Sequence, residues 1–179
     1  LISPGTLSSW DDLFNSAHRG KIAFADPSVS GSSFTALMTM LLAVGGERND
    51  ALRRFAENLG GLELAGSGET ALKRVEAGDS VALVYPDDGT SLVPDGSALV
   101  KGAPHADNAR LFIDFTISRD VQELLGGQFR RSVRRDVGSG GLRPLSELEV
   151  LDYDVERASS EHDTVLMSWE FFLEREDGQ

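Results

Sequence analysis

The chain has 179 residues, with 17 Lys and Arg against 29 Asp and Glu, three His and no Cys, for a net charge of −12. The length suits one domain or two small lobes sharing a chain, and 40% hydrophobic residues exclude disorder as a description of the whole chain, while the acidity argues against nucleic acid or an anionic membrane as partner. Without Cys there is no disulfide, no thiolate metal site and no Cys nucleophile.

Strand and helix signals alternate along the chain. No run approaches the ~18 apolar residues of a membrane helix; the apolar stretch 36–44 is short and broken by Thr39. The opening Leu1-Ile-Ser-Pro-Gly5 has neither the basic nor the apolar segment of a signal peptide and no initiator Met, as expected of a mature or excised chain. Residues 21–25 read as a short strand and 26–33 as a loop of Pro, Gly and Ser. From Phe34, apolar side chains recur at Leu37, Met38, Leu41 and Leu42, the spacing of a helix with one buried face, and Gly45-Gly46 stops it. A second helix is predicted over 49–59 with Leu52, Phe55 and Leu59 inward, stopped by Gly60-Gly61. A strand at 62–64, a loop of small residues and a helix at 69–76 follow. The apolar run 81–85 is predicted as a strand covered on both faces, and 97–101 as another. Asp107 is placed to cap a helix over 108–116 whose apolar side chains are Leu111, Phe112 and Phe115; a further helix spans 119–125 and stops at Gly126-Gly127. Residues 130–141 read as an irregular basic and Gly-rich excursion. The last helix covers 159–174, with a stripe of Val165, Leu166, Trp169, Phe172 and Leu173. Together these predict an α/β layered domain, a largely parallel sheet flanked by helices, over residues 1–179.

Three segments have residues suited to a binding site. Asp26-Pro-Ser-Val-Ser-Gly-Ser-Ser33 puts four hydroxyls (Ser28, Ser30, Ser32, Ser33) and Gly31 between a strand and a helix start, where free N–H groups point outward. It is either a cradle for an anion or polar ligand, or a helix cap. Ala65-Gly-Ser67-Gly-Glu-Thr70 repeats the arrangement; in a parallel sheet both loops share the carboxyl edge, where open α/β folds bind ligands. Tyr85-Pro-Asp-Asp-Gly-Thr90 pairs two carboxylates, though Pro-Asp-Asp-Gly is equally a strong turn signal. His18, His105 and His162 lack metal-site spacing, and there is no nucleophile elbow, Walker or dinucleotide fingerprint, so neither a cofactor nor catalysis is expected. The Arg130, Arg131, Arg134 and Arg135 cluster reads as a solvated face rather than a nucleic-acid site, or as a surface that meets a partner.

Trp10-Asp-Asp-Leu13, Gly20-Lys-Ile-Ala-Phe-Ala-Asp-Pro27, Ser30-Gly-Ser-Ser33, Val84-Tyr-Pro-Asp-Asp-Gly-Thr90, Pro94-Asp-Gly-Ser97, Asn108-Ala-Arg-Leu-Phe-Ile-Asp-Phe115, Arg130-Arg-Ser-Val133 and Leu148-Glu-Val-Leu-Asp-Tyr153 follow one another in an order that resembles the extracytoplasmic solute-binding proteins of ABC importers. The likeness is to the ferric-iron and phosphosugar branch of the type II periplasmic binding fold. The resemblance implies two α/β lobes closing on a ligand like a hinge, no catalysis, a periplasmic or extracytoplasmic location, and an ABC permease as partner. It implies that Ser28, Ser30, Gly31, Ser32 and Ser33 at one helix start, Ser67 at another, and Asp88 in the turn meet a small anionic or polyhydroxylated solute. The chain departs from the pattern in being short. It resembles one lobe plus C-terminal elements, and Val75-Glu-Ala-Gly-Asp79 passes almost directly into Ser80-Val-Ala-Leu-Val-Tyr85 where the family has a further strand, ligand segment and helix. The two tyrosines, Tyr85 and Tyr153, lie far apart, unlike the adjacent pair of ferric binders. A truncated lobe of this kind has a second expected behaviour, which is to lose its ligand and self-associate as a homo-oligomer through the apolar surface that the missing lobe would cover.

Overall fold

The computed structural model of the protein describes residues 7–22, 24–59, 84–128, 130–138 and 141–177. The expected strand at 62–64, the expected helix at 69–76, most of the expected strand at 81–85, and Ser67 lie outside them. The chain divides into two compact units, Leu1–Val93 with Glu149–Gln179, and Pro94–Leu148. Among the described residues there are five α-helices: α1 (Gly31–Val44), α2 (Arg48–Leu59), α3 (Ala106–Thr116), α4 (Arg119–Gly126) and α5 (Val155–Asp177). The first unit holds α1, α2 and α5, and the second holds α3 and α4.

In the first unit the predicted stripes meet in large part, with one correction in α1: Leu42 is 43% exposed, whereas Met40, outside the predicted stripe, is buried. Phe34, Leu37 and Met40 of α1, Leu52, Phe55, Ala56 and Leu59 of α2, and Ala158, Val165 and Trp169 of α5 form one buried cluster. Burying each large side chain of this kind stabilises by about 1.5–3 kcal/mol. Phe24, Phe55 and Trp169 interlock with ring centroids 5.2–5.9 Å apart, two of the three pairs edge to face. Helix α1 starts earlier than its apolar periodicity, because Ser30 caps it: the Ser30 hydroxyl accepts the Ser33 N–H at 3.4 Å. It ends where Gly45 takes a φ of +66°. Helix α5 also begins four residues before the expected start, because Asp154 accepts the Arg157 N–H at 2.9 Å. Arg48 bonds Glu161 at 3.0 Å and ties the start of α2 to α5.

Asn58 is a buried polar residue on α2, and its amide donates to the carbonyls of Leu13 (2.6 Å) and Asn15 (2.9 Å). It thereby fixes the two 3-10 turns Trp10–Phe14 and Ser16–His18 to that helix. Thr90 and Val150 form a parallel bridge, with Thr90 N–H donating to Glu149 and Leu151 N–H to Thr90, each at 2.9 Å.

Two expectations are corrected. Of the strand predicted at 21–25, only Ala25 takes part in a bridge among the described residues, and 97–101 forms no strand. An apolar run supplies one strand, but a ladder needs a paired neighbour, which the run does not specify. Asp107 does not cap α3: the cap position is His105, without a side-chain bond, and Asp107 pairs with Arg110 at 2.7 Å. The apolar stripe of α3 is exposed: Leu111, Phe112 and Phe115 are 60–67% exposed and no residue of that helix is buried.

In the second unit a buried side chain helps to hold the irregular excursion after α4. The buried Gln122 donates to the Thr116 carbonyl at 2.9 Å and accepts from Ser132 Oγ (3.0 Å) and Val133 N–H (2.9 Å). Two arginines of this segment are paired, Arg130 with the distant Asp95 at 2.7 Å and Arg134 with the nearby Asp136 at 2.8 Å.

Candidate functional site

The start of α1 is the candidate site. The chain enters it through a tight loop in which Asp26 accepts the Ser28 N–H (2.9 Å) and Ser28 hydroxyl (2.8 Å), while its carbonyl takes the Ser30 N–H at 3.0 Å. This Asx-type turn aims the next residues into the helix. Ser30 Oγ then accepts the Ser33 N–H and is hydrogen-bonded to Ser32 Oγ at 3.2 Å. A helix start carries amide groups with no intrahelical acceptor; here Gly31 and Ser32 N–H are left with none among the described residues. Gly31 and Ser32 are exposed, Ser30 is half-buried and Ser33 is buried. The arrangement offers two free amides and the Ser30 and Ser32 hydroxyls at the positive end of a 14-residue helix dipole.

Of the candidate residues, Ser30, Gly31, Ser32 and Ser33 therefore come together in one turn. Ser28 stands one step back, its hydroxyl held by Asp26. Ser67 lies outside the described residues. Asp88 is engaged elsewhere, as its carboxylate accepts Ser9 Oγ at 2.7 Å and Trp10 N–H at 3.0 Å. Trp10 Nε1 returns the contact by donating to the Gly89 carbonyl at 2.8 Å. This double link ties the Tyr-Pro-Asp-Asp-Gly turn to the first 3-10 turn. Beside it, Trp10, Leu13, Tyr85, Pro86 and Thr90 help line an apolar pocket of about 350 Å3.

Asp26 is a residue of this loop to which hydroxyl and glycine content does not point. Its signal was available, since an Asp two residues before a Ser and ahead of a helix is an Asx-turn pattern. Its carboxylate is half-buried and holds Ser28 in the loop that leads into α1. Among the described residues, no three His, Asp or Glu side chains group as a metal site, and no helix is long and apolar enough to cross a membrane.

Residues 4–140 match the family described as bacterial extracellular solute-binding protein. An uncharacterized protein of Haemophilus influenzae is 26% identical over 187 residues, covering 89% of this chain and 53% of its own length. The chain thus spans about half of the curated relative it matches. Among solved structures, a ferric binding protein from Campylobacter jejuni superposes with a TM-score of 0.68 at 16% identity, over 96% of this chain and 64% of that one. This likeness places the chain in the α/β class with a periplasmic-binding-protein-like fold, and shows that it is short for that fold.

Proposed function

Because this chain belongs to the bacterial extracellular solute-binding proteins, we propose that it captures a small solute with both an anionic group and hydroxyls, of the phosphosugar type, at the start of α1, for transfer to an ABC permease outside the cytoplasm. The observation that carries this reading is the pair of free amides at Gly31 and Ser32, framed by the Ser30 and Ser32 hydroxyls. In a chain of charge −12 the overall field repels anions, so capture depends on local N–H donors and the helix dipole. The Asp26 carboxylate adds an acceptor at the rim, which suits a ligand that also carries hydroxyl donors. The role is binding rather than catalysis. The reading of Asp88 as a ligand contact asks its carboxylate to serve Ser9, Trp10 and a solute at once, so its part in affinity is secondary to that of α1.

Calorimetry and thermal shift against inorganic phosphate, sugar phosphates and ferric salts test the proposal. Ferric salts are in the panel because of the ferric binding protein that shares the fold. A ligand at 100 times its dissociation constant adds about 2.7 kcal/mol of stability. Ser32→Ala is expected to weaken sugar phosphate binding several-fold with the fold intact. No heat and no shift with any of the panel overturns the reading.

A further inference from the structure

We propose that the pocket between the end of α1 and the start of α5 is a second binding site, one that takes a small organic cation with a short apolar body, such as an alkylammonium. It lies at the opposite end of α1 from the serine cluster, about 20 Å away along a 14-residue helix, and does not depend on that site. Its volume is about 270 Å3, near the lower end of the ~300–1,000 Å3 typical of small-molecule pockets.

Its walls select by charge and by shape. Met38, Leu41 and Ala158 give it an apolar side, able to cover a short hydrocarbon chain. Three carboxylates, Asp152, Asp154 and Glu161, share the lining with one guanidinium, that of Arg157. Arg157 is already committed to Glu161 at 3.0 Å, and Glu161 is also held by Arg48. Asp154 Oδ1 caps α5. That leaves Asp152 and the hydroxyl of the half-buried Tyr153 with no hydrogen-bond partner among the described residues. Helix α1 ends here at Gly45, so the terminal carbonyls and the negative end of the dipole add to the acidic character. An anion is repelled by this lining, and a purely apolar ligand gains nothing from Asp152 or the Tyr153 hydroxyl. An ammonium group meets both, with its alkyl chain on the apolar side.

Titration of the full chain with hexylammonium chloride, 1-hexanol and hexanoate, in low and high salt, tests the site. Saturable binding of hexylammonium is expected, with hexanol and hexanoate at least about tenfold weaker, and Asp152→Asn is expected to weaken the amine by about tenfold, as for loss of a charged hydrogen-bond partner. Asp152 is exposed, so its substitution leaves the core untouched, which circular dichroism verifies. Absence of saturable amine binding, equal affinity for hexanol, or an unchanged affinity in Asp152→Asn overturns the proposal. Ser32→Ala must leave amine binding as it was; if it abolishes it, the amine sits at the other end of α1 and this site is wrong. Failure of the sugar phosphate panel leaves the amine result standing, so the two proposals fail separately.

Discussion

Gly89 has a φ of +108°, and a Cβ built on it would lie 2.8 Å from the Leu151 side chain. Both its conformation and its surroundings therefore demand glycine. Gly89→Ala is expected to destabilise the protein by about 1–3 kcal/mol in urea unfolding, because backbone strain and a clash with Leu151 act together. The same small region shows how a carboxylate can be a pin. Asp88 holds Ser9 and Trp10, and Asp12 caps from the other side, accepting the Ser8 and Ser9 N–H groups at 2.7 and 3.0 Å. Those backbone hydrogen bonds hold the Asp12 carboxyl below its ordinary value of 3.8. A carboxyl depressed in the folded state contributes stability that is present above the ordinary value and lost as pH falls through the folded one. Acid titration followed by Trp fluorescence is therefore expected to keep the Trp10 signal native down to the ordinary Asp range and lose it below. In Asp12→Asn that acid step shrinks.

At the scale of elements, α1, α2 and α5 follow their apolar periodicity closely, and Gly45 stops α1 where the sequence says it should. Helix α3 has equally good periodicity and a different fate, since Leu111, Phe112 and Phe115 remain exposed. Spacing of i, i+1 and i+4 puts side chains on one face but says nothing of what faces them. An exposed stripe of this kind is expected to bind the dye ANS. Replacing Phe112 and Phe115 by Ser is expected to lower the ANS signal strongly while changing unfolding free energy by less than about 1 kcal/mol, because side chains already in water lose little on removal. A large loss of stability in this variant means that the stripe is covered in solution. The expected strands at 21–25 and 97–101 failed for a related reason, as pairing is a property of two segments. The parallel bridge joins Thr90 to Val150, positions 60 apart that no local pattern connects.

For the whole molecule, the buried hydrophobic residues recorded among the described positions all fall in the first unit, whereas the second unit's buried polar residue is Gln122. Local stability follows buried contacts. Amide hydrogen exchange is expected to show α1, α2 and α5 protected on the order of tenfold or more longer than α3 and α4. Uniform protection over all five helices would contradict the division. Length and charge take on sharper meaning at this scale. The chain spans 53% of its Haemophilus influenzae relative and 64% of the ferric binding protein that shares its fold, so the activity of those longer proteins comes to it only as a proposal.

The sequence by itself determined the family, the helices of the first unit and the serine-rich entry to α1, because capping and amphipathic spacing act over three or four residues and are written locally. Only the tertiary structure decided that Asp88 reaches back across 79 positions to Ser9, that Asn58 and Gln122 anchor turns and loops, that the α3 stripe is exposed, and that the ends of α1 and α5 enclose an acidic pocket. Each of these depends on which distant segment arrives to meet a side chain, and residue spacing along one chain does not encode that meeting.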